Sequence, residues 1–538
     1  MNNSIVAPSN SSNSQSKDTN ITRLNPQFDD SIFDPEKIIN HIKQLVKKNE
    51  PILHTEILNQ LIEQFEPLDF EMLAFPEVEE FRKQLENLNP ENEQAKDIRK
   101  RLDKIKVNAK HYRILSIKNV SKTALKNRWG LCKNNDFIYL YNGTYWAEID
   151  KEVFQKFLGE AAEKMGVRWD NAQDYLFREQ LFKQFLATEY INTPQVKNNI
   201  VLINLKNGTF EISPLGTKLR PFNCSDFITY QLPFDYNPQA SAPLFEEYLN
   251  KVLPDKESQR ILAEYLGYVF IKHSSNTLKE EKALILYGAG ANGKSVLFDI
   301  VTALMGRENV SNYTLQNLTE EKGFYRAKIA NKLLNYCSDI STKLEVAMFK
   351  QLVSGEPVEA CLKYGQPFTM NDYSKFIFNC NELPKDIEHS NAYYRRFLII
   401  PFCVTIPEQD QDKQLSYKII DKELSGVFNW VLEGLNRLLE QKRFSHCEAA
   451  KQAIEQYKTE SNSIKLFLDE SGYKNNSTDY QLIKDLYPEY RNYCIADGMI
   501  AFKKINFSKQ LQALGVSLGR ESGTGQKIAY LKKDNSSF

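Results

Sequence analysis

Apolar residues recur at three- and four-residue spacing through EKIINHIKQLVKK (36–48) and HTEILNQLIEQF (54–65), which predicts amphipathic helices. Breaks containing proline at 50–51 and 89–90 punctuate a helical stretch over residues 30–110. The pattern then changes. DFIYLYNGTYWAEI (136–149) and VLINLKNGTFEIS (201–213) each place Asn-Gly between two β-rich runs, which predicts hairpins with type I′ turns at Asn142-Gly143 and Asn207-Gly208. A helical block over roughly 151–190 lies between them. Residues 242–274 read as helix. The strand ALILY (Ala283–Tyr287) follows, and strands alternate with helices to about residue 403, as in an α/β nucleotide-binding core. Helices continue to about 470, and the last seventy residues form a small separate unit. The expected fold is multidomain α/β: a tail over 1–28, a helical module over 29–116, an α+β domain over 117–255, the α/β core over 256–460, and a terminal unit over 461–538.

Composition narrows the function classes. The chain has 538 residues, 42% of them hydrophobic and 26% charged, with 69 Lys/Arg against 69 Asp/Glu. A net charge of zero leaves only local basic surface for a polyanionic partner. Two stretches qualify: residues 96–113 carry eight Lys/Arg against two Asp, and residues 501–538 carry seven against two acids. The eight cysteines are scattered with no CxxC pair, so neither a zinc module nor a secreted disulfide framework is expected. The first twenty residues, with six Ser and five Asn, read as a disordered tail without signal-peptide character. No apolar run approaches the roughly 18 residues a membrane span needs, and a reducing, cytoplasmic setting without membrane contact is expected.

The strongest chemical signal is Gly288-Ala289-Gly290-Ala291-Asn292-Gly293-Lys294-Ser295, a full match to G-x-x-x-x-G-K-[ST] between a strand and the helix-compatible SVLFDIVTALMG (295–306). Glycines let backbone N–H groups converge on phosphates without a Cβ in the way. The helix that follows directs its N-terminal N–H groups, Val296 included, at the same anion. Lys294 would reach the β/γ-phosphates and Ser295 would ligate Mg²⁺ of a bound ATP.

Such a loop needs an acid at the end of a neighbouring strand. NKLLNYCSDIS (331–341) is an apolar run ending in Asp339, 44 residues after Ser295. Ile340 follows it, so no second carboxylate is adjacent, and the general base is open between Asp339, Glu356 and Glu382. SKFIFNCNELP (374–384) ends a second strand in Asn379-Cys380-Asn381-Glu382. In NAYYRRFLIIPF (391–402), Arg395 and Arg396 precede a third apolar run and are candidates to stabilise transferring phosphoryl charge.

In this order, GAGANGKS, LLNYCSD, KQLVSGEPVEACLKYGQPFTM, FIFNCNELP and YYRRFLIIPF resemble the superfamily 3 helicases, and most of all the phage/plasmid primase-helicase branch that includes the poxvirus primase-helicase. The resemblance covers roughly residues 120–538. It implies a P-loop, AAA+-like ATPase core in which Lys294 and Ser295 are the Walker A pair, Asp339 the Walker B acid and Asn381 sensor 1. Arg396, with Arg395 second, would be the arginine finger given to a neighbouring subunit. It also implies a channel-facing hairpin within 350–370 with Lys363 and Tyr364 near its tip, ATP and Mg²⁺ as ligands, and a homo-oligomeric ring, as a hexamer, moving on single-stranded DNA during replication of a mobile element. Three other readings stay open. One is a primase-helicase, although Asp29, Asp30 and Asp34 form no convincing polymerase constellation and a separate primase or polymerase is expected. The others are an origin-binding initiator with a degenerate ATPase, and a phosphate-loop kinase or remodelling ATPase.

In the terminal unit, DYQLIKDLYPEYRNYCIADG (479–498) and KINFSKQLQALG (504–515) read as helices and GRESGTGQKIAYLKK (519–533) as a hairpin. Helix, helix and hairpin is a winged-helix order, which the resemblance also implies. Lys503, Lys504, Lys509, Arg520 and Lys527 fall where origin DNA would be contacted.

Overall fold

The computed structural model describes residues 53–134, 137–189, 199–338, 340, 345–363, 365–384, 390–499 and 501–534. The expected tail over 1–28 and the helix over 36–48 lie outside them. Among the described residues, no helix is long and apolar enough to cross a membrane.

Five helices open the described chain: α1 (His54–Glu63), α2 (Phe70–Ala74), α3 (Glu77–Glu86), α4 (Glu93–Lys104) and α5 (Ala109–Lys126). An antiparallel sheet follows in the order β1 (Gly130–Asn134), β2 (Phe137–Tyr141), β3 (Trp146–Ile149), then α6 (Lys151–Lys164), α7 (Trp169–Gln173) and α8 (Tyr175–Thr188). The boundary expected at 116/117 falls inside α5, and no core ends there. Ile117, Val120 and Ala124 of α5 share one apolar cluster with Ile57 and Leu61 of α1 and with Phe154, Leu181 and Phe185 of α6 and α8. The physical reason is cover: a sheet of three short strands cannot bury both faces by itself. Every residue of β2 is buried, and its period-two alternation divides it between two cores. Ile138 and Leu140 face the helical cluster, while Phe137, Tyr139 and Tyr141 face the next one.

A second antiparallel sheet, β4 (Val201–Leu205), β5 (Gly208–Ser213) and β6 (Gly216–Arg220), leads to α9 (Pro243–Val252) and α10 (Lys256–Tyr268). Both Asn-Gly sites are hairpins, but neither is the expected turn. The β2–β3 loop spans four residues, and Asn142 uses its side chain to accept from the Thr144 and Tyr145 N–H groups at 3.0 and 3.1 Å, an Asx turn. The β4–β5 loop is Lys206-Asn207, with Leu205 opposite Gly208. There the Asn207 amide is tied to the Tyr236 backbone, accepting and donating at 2.9 Å.

The largest sheet is parallel throughout. Its strands are β7 (Ala283–Tyr287), β8 (Val310–Ser311), β9 (Leu334–Cys337), β12 (Lys375–Cys380) and β13 (Phe397–Pro401), in the spatial order β13-β7-β12-β9-β8. Both faces are covered, which is why these strands read as unbroken apolar runs. Leu284, Leu286, Ile377, Leu398 and Ile400 face a cluster shared with β4, β5, α9, α10, α11 (Lys294–Met305), α16 (Leu415–Lys422) and α17 (Leu424–Gln441). Ala283, Ile285, Phe376, Phe378, Phe397 and Ile399 face the cluster that includes Phe137 and Tyr139. The core therefore does not begin at residue 256 either, because Val201, Ile203 and Phe245 already belong to it.

Between β8 and β13 come α12 (Leu315–Thr319), α13 (Phe324–Ala327), α14 (Val346–Ser354), the hairpin β10 (Val358–Cys361)–β11 (Pro367–Met370), and α15 (Asn391–Tyr394). After α18 (Glu448–Glu460), the terminal unit has its own apolar cluster. It runs α19 (Ser463–Glu470), β14 (Tyr473–Asn475), β15 (Gln481–Leu482), α20 (Ile483–Ala496), α21 (Lys504–Ala513), β16 (Leu518–Arg520), β17 (Lys527–Ala529) and β18 (Leu531–Lys533), with a small antiparallel sheet β15-β17-β16.

Candidate functional site: a phosphate-loop edge and its opposite edge

Because the large sheet is parallel, the C-terminal ends of β7, β9 and β12 open on one edge, where α/β sheets place their ligands. The loop leaving β7 runs there. Gly288 has φ 154°, and a Cβ on it would stand 2.3 Å from the Phe402 carbonyl oxygen. Gly293 has φ 85° and would meet Val252 at 2.6 Å. Neither position admits a side chain. The Gly288 N–H donates to the Cys380 carbonyl at 3.0 Å, which fixes the loop to β12. The Asn292 amide donates to the Phe402 carbonyl at 3.0 Å, and the Tyr248 hydroxyl donates to the Gly293 carbonyl at 2.8 Å. Sequence reasoning missed these braces from α9 and from beyond β13, since nothing in the loop motif points to residues 40 or more positions away.

Lys294 opens α11 and is only 7% exposed. Its ammonium donates to the carbonyls of Gly288 (2.7 Å) and Ala289 (2.9 Å) and to the Asn292 side-chain oxygen (3.0 Å). Burial pulls its pKa below the usual lysine range. Among the described residues, the backbone N–H groups from Ala289 to Val296 have no acceptor. They surround a helix N-terminus with the exposed Ser295 at its mouth. A row of free N–H donors, an ammonium held by replaceable carbonyls and a hydroxyl at the helix start are the donor set that a polyphosphate requires.

The acid side is partly visible. β9 forms as expected and ends at Cys337; Asp339 lies outside the described residues. Asn381 is exposed one residue past β12, on the phosphate-loop edge. Asn379, within β12, is buried and accepts from the Tyr336 hydroxyl at 3.1 Å, so it serves to lock β12 to β9. Glu382 is exposed on this edge, near enough to Tyr287 to help raise that phenol's pKa, after the larger effect of burial. Glu356 is not on this edge. Its carbonyl accepts from the Tyr373 hydroxyl at 2.9 Å, two residues before β12 begins. It is thus removed by the length of that strand, about 20 Å at 3.3 Å per residue, and is excluded as a base for its own phosphate loop.

The opposite, N-terminal edge carries the arginine pair, just ahead of β13, whose Phe397 pairs with Ala283. The two differ in exposure, with the buried one being Arg396, the first choice for a role in a neighbouring subunit. The Arg396 side chain is 9% exposed and fully engaged: it donates to Ser354 Oγ from Nε (3.2 Å) and Nη2 (2.8 Å) and to the Ala392 carbonyl from Nη1 (2.5 Å), and it pairs with Glu281 at 3.4 Å. The Arg395 side chain is 61% exposed and, among the described residues, pairs with Glu281 at 3.3 Å. Both lie in the turn between α15 and β13, Arg395 with helical backbone angles (φ −62°, ψ −15°), and the tie of Arg396 to Ser354 and the Ala392 carbonyl is what sets it apart from its neighbour.

The same edge holds a buried lysine that was not foreseen. Lys375, at the start of β12, contacts both ring nitrogens of His273 (3.0 and 3.3 Å) and lies 4.3 Å from the Tyr268 ring centroid. Burial brings its pKa down to about 7, with Asp372 opposing the shift. Burial, then Lys375, drives His273 well below its ordinary value. The unfolded-state pKa of lysine is about 10.4, so the folded state holds fewer protons between that value and about 7. The stability contributed by the neutral amine is complete above pH 10.4 and is lost as pH falls to about 7. Lys375→Met is therefore expected to be more stable than the wild type at neutral pH. Its advantage should shrink by about 1.4 kcal/mol per pH unit as pH rises toward 10. Paired denaturant melts across that range check this, and a pH-independent difference would refute it.

The hairpin β10–β11 carries exposed Lys363 at its tip; Tyr364 lies outside the described residues. It is braced from two sides. Buried Arg326 donates to the Glu359 carbonyl at 3.0 Å, and the Phe368 ring meets Phe137 of β2 edge to face, 5.4 Å between centroids at 90°. In the terminal unit, Lys503 and Lys504 begin α21 and Lys509 lies along it; Arg520 and Lys527 face each other across β16–β17. All five are exposed.

Two protein families match separate parts of the chain. Residues 109–254 match the family described as "D5 N terminal like", and residues 286–396, which include the phosphate loop and both arginines, match a family of unknown function (DUF5906). Part of the chain is similar to a viral protein named as a helicase. It is "Putative helicase L207/L206" of Acanthamoeba polyphaga mimivirus, 27% identical over 215 residues. That match takes in 38% of this chain and 22% of the mimivirus protein, about a fifth of its length. Among solved structures, an apo A form of the NrS-1 C-terminal region superposes with a TM-score of 0.43 at 15% identity, covering 77% of this chain and 99% of that one. A second apo structure of the same region gives 0.42, also at 15% identity, covering 77% and 98%.

Proposed function

We propose that the chain is an ATP-driven DNA helicase of the superfamily 3 type, acting in replication. The observation that carries the reading is the phosphate loop on a parallel sheet ordered β13-β7-β12-β9-β8, with its free N–H row, its buried Lys294 and an arginine pair on the far edge. The D5-type match and the similarity to a viral protein named as a helicase support it. In this reading the N–H groups of Ala289 to Val296 bind phosphate oxygens, and Lys294 exchanges the Gly288 and Ala289 carbonyls for the β/γ-phosphates. Ser295 and Asp339 would hold Mg²⁺, which supplies charge neutralisation for phosphoryl transfer. Asn381 orients the attacking water, and Glu382 is the spare base on the same edge. Arg395 lies a sheet's length from its own loop, so it serves a neighbouring chain. The terminal unit, with the helix and hairpin order of a winged helix, presents Lys503, Lys504, Lys509, Arg520 and Lys527 to duplex DNA at an origin.

The test is ATP turnover with and without single-stranded DNA, for the wild type and Lys294→Ala in parallel. DNA-stimulated turnover that falls by about two to three orders of magnitude in the variant is the expected result, the loss typical of removing one preorganised charge-stabilising donor. Turnover indifferent to DNA would instead favour a remodelling ATPase, and an equal rate in Lys294→Ala would remove the site from the mechanism.

A further inference from the structure

α5 is 18 residues long, AKHYRILSIKNVSKTALK, and contains no acidic residue. Its buried side is Ser116, Ile117, Val120 and Ala124. At 100° per residue, Lys118, Lys122 and Lys126 fall on the opposite side, and all three are exposed. They repeat every four residues, about 6 Å along the axis. Leu125, 72% exposed, lies among them, and exposed Arg128 continues the row just past the helix end in a left-handed conformation (φ 61°).

Each of four neighbouring helices pairs one of its cations with an acid of its own, which α5 has none of. On α3 Lys83 pairs with Glu79 (2.8 Å), on α4 Arg101 with Asp97 (2.8 Å), on α6 Lys156 with Glu160 (3.6 Å), and on α8 Lys183 with Glu179 (2.9 Å), each at four-residue spacing. Among the described residues, no ion pair involves Lys118, Lys122, Lys126 or Arg128. A helix C-terminus favours cations in its last turn, which accounts for Lys126 and Arg128 but not for Lys118 and Lys122 further back. The densest basic run in the sequence, 96–113, is by contrast partly spent within the fold: Arg101 pairs with Asp97, Arg99 donates to the Pro90 carbonyl at 3.4 Å, and Arg113 donates to Gln180.

We propose that the Lys118–Lys122–Lys126 ladder, continued by Arg128, is a binding surface for the sugar-phosphate backbone of one DNA strand. A row of cations without ion pairs, about one per helical turn and turning about 40° around the helix at each step, matches successive phosphates of an extended strand and carries no group that would read a base, so binding is sequence-independent. This rests on the helicase reading, to which it adds a place where the strand is held outside the motor.

The experiment measures the affinity of the full chain for a labelled oligothymidine across a salt titration. It compares the wild type, the triple variant Lys118→Gln/Lys122→Gln/Lys126→Gln, and the triple Lys→Arg variant. Each phosphate contact on a single strand contributes about 0.7 to the slope of log affinity against log salt, so the Gln variant should lose about 2 from that slope and the Arg variant should keep it. ATP turnover without DNA should be equal in all three, since none of these residues belongs to the phosphate-loop edge. A wild type that binds with a Gln variant of unchanged slope overturns the ladder and leaves the helicase reading standing. A wild type that does not bind single strands at all overturns both. Slope loss confined to a duplex competitor, or a changed sedimentation mass without DNA, assigns the ladder to duplex or to a subunit contact and overturns the single-strand proposal.

Discussion

Alanine at Arg395 is expected to lower ATP turnover by about three to five orders of magnitude, the range measured for loss of an arginine that stabilises transferring phosphoryl charge. Nucleotide affinity and unfolding midpoint should stay close to those of the wild type, because the side chain is exposed and, among the described residues, its ion pair is with Glu281, a solvent-screened pair of little net worth. Alanine at Arg396 is expected to do the reverse. That side chain is walled in and satisfies Ser354, the Ala392 carbonyl and Glu281 together, so its removal leaves buried acceptors without donors and should cost about 2 kcal/mol of stability. Turnover of the folded fraction should survive. Urea melts beside steady-state ATPase assays separate the two. If Arg396→Ala abolished turnover with an unchanged melt while Arg395→Ala did nothing, the assignment of roles by burial would be wrong. A mixing experiment adds the test of sharing between chains: Arg395→Ala combined with Lys294→Ala should regain part of the lost turnover, since each supplies what the other lacks.

The second large effect lies in the packing that holds the motor together. Glu264 of α10 is completely buried, and its carboxylate is shared by Arg437 of α17 (Nε, 2.7 Å), the Ser445 N–H (2.8 Å) and the Ser445 hydroxyl (2.6 Å). α10 and α17 flank the sheet on the side of the phosphate-loop helix, so this carboxylate joins two elements of the largest apolar cluster. Glu264→Ala removes one partner of a buried pair and strands the other two donors, which is expected to lower stability by about 3 kcal/mol. Arg437→Ala should cost at least as much, because it leaves the fully buried Glu264 carboxylate with only the two Ser445 donors, whereas in the Glu264 variant water can reach the Arg437 head, which is 28% exposed. A double-mutant cycle read by denaturant melts should give a coupling of at least about 1 kcal/mol. Additive losses would mean that the two side chains act separately.

The parts legible in the sequence were those whose physics is local or periodic. The parallel strands announced themselves as uninterrupted apolar runs because both faces are covered, and the turn of Gly288–Ser295 did so because its close backbone packing admits no side chain at Gly288 or Gly293. What escaped depends on which distant residue stands opposite. Asn142 and Asn207 marked turns correctly, but whether an Asn bends the backbone or spends its amide elsewhere is decided by partners such as Tyr236. The split of Arg395 from Arg396 is invisible in a dipeptide, since it follows from which one meets Ser354. The limits that the pattern suggests at 116/117 and 255/256 do not coincide with the edges of the apolar clusters, for a related reason: short sheets borrow cover from helices on either side, so one core spans what looks like two segments. A charge count favours 96–113, where Arg99, Arg101 and Arg113 are engaged within the fold, and passes over the row Lys118, Lys122 and Lys126 on α5, because a count is blind to which face of a helix a charge lies on.

A sheet whose neighbours are all parallel has two unlike ends. Here the loop that would take the polyphosphate lies at one end and Arg395 at the other. With Arg395 in its proposed role, copies meet end to end through different surfaces, a heterologous contact that a two-fold axis through one patch does not generate. Such contacts either run on as a filament or close on themselves. In an open string of n copies, one loop has no arginine and one arginine has no loop, so only n − 1 sites are complete. Closure alone makes every site whole, and the polarity of five strands becomes a reason for the assembly to be circular.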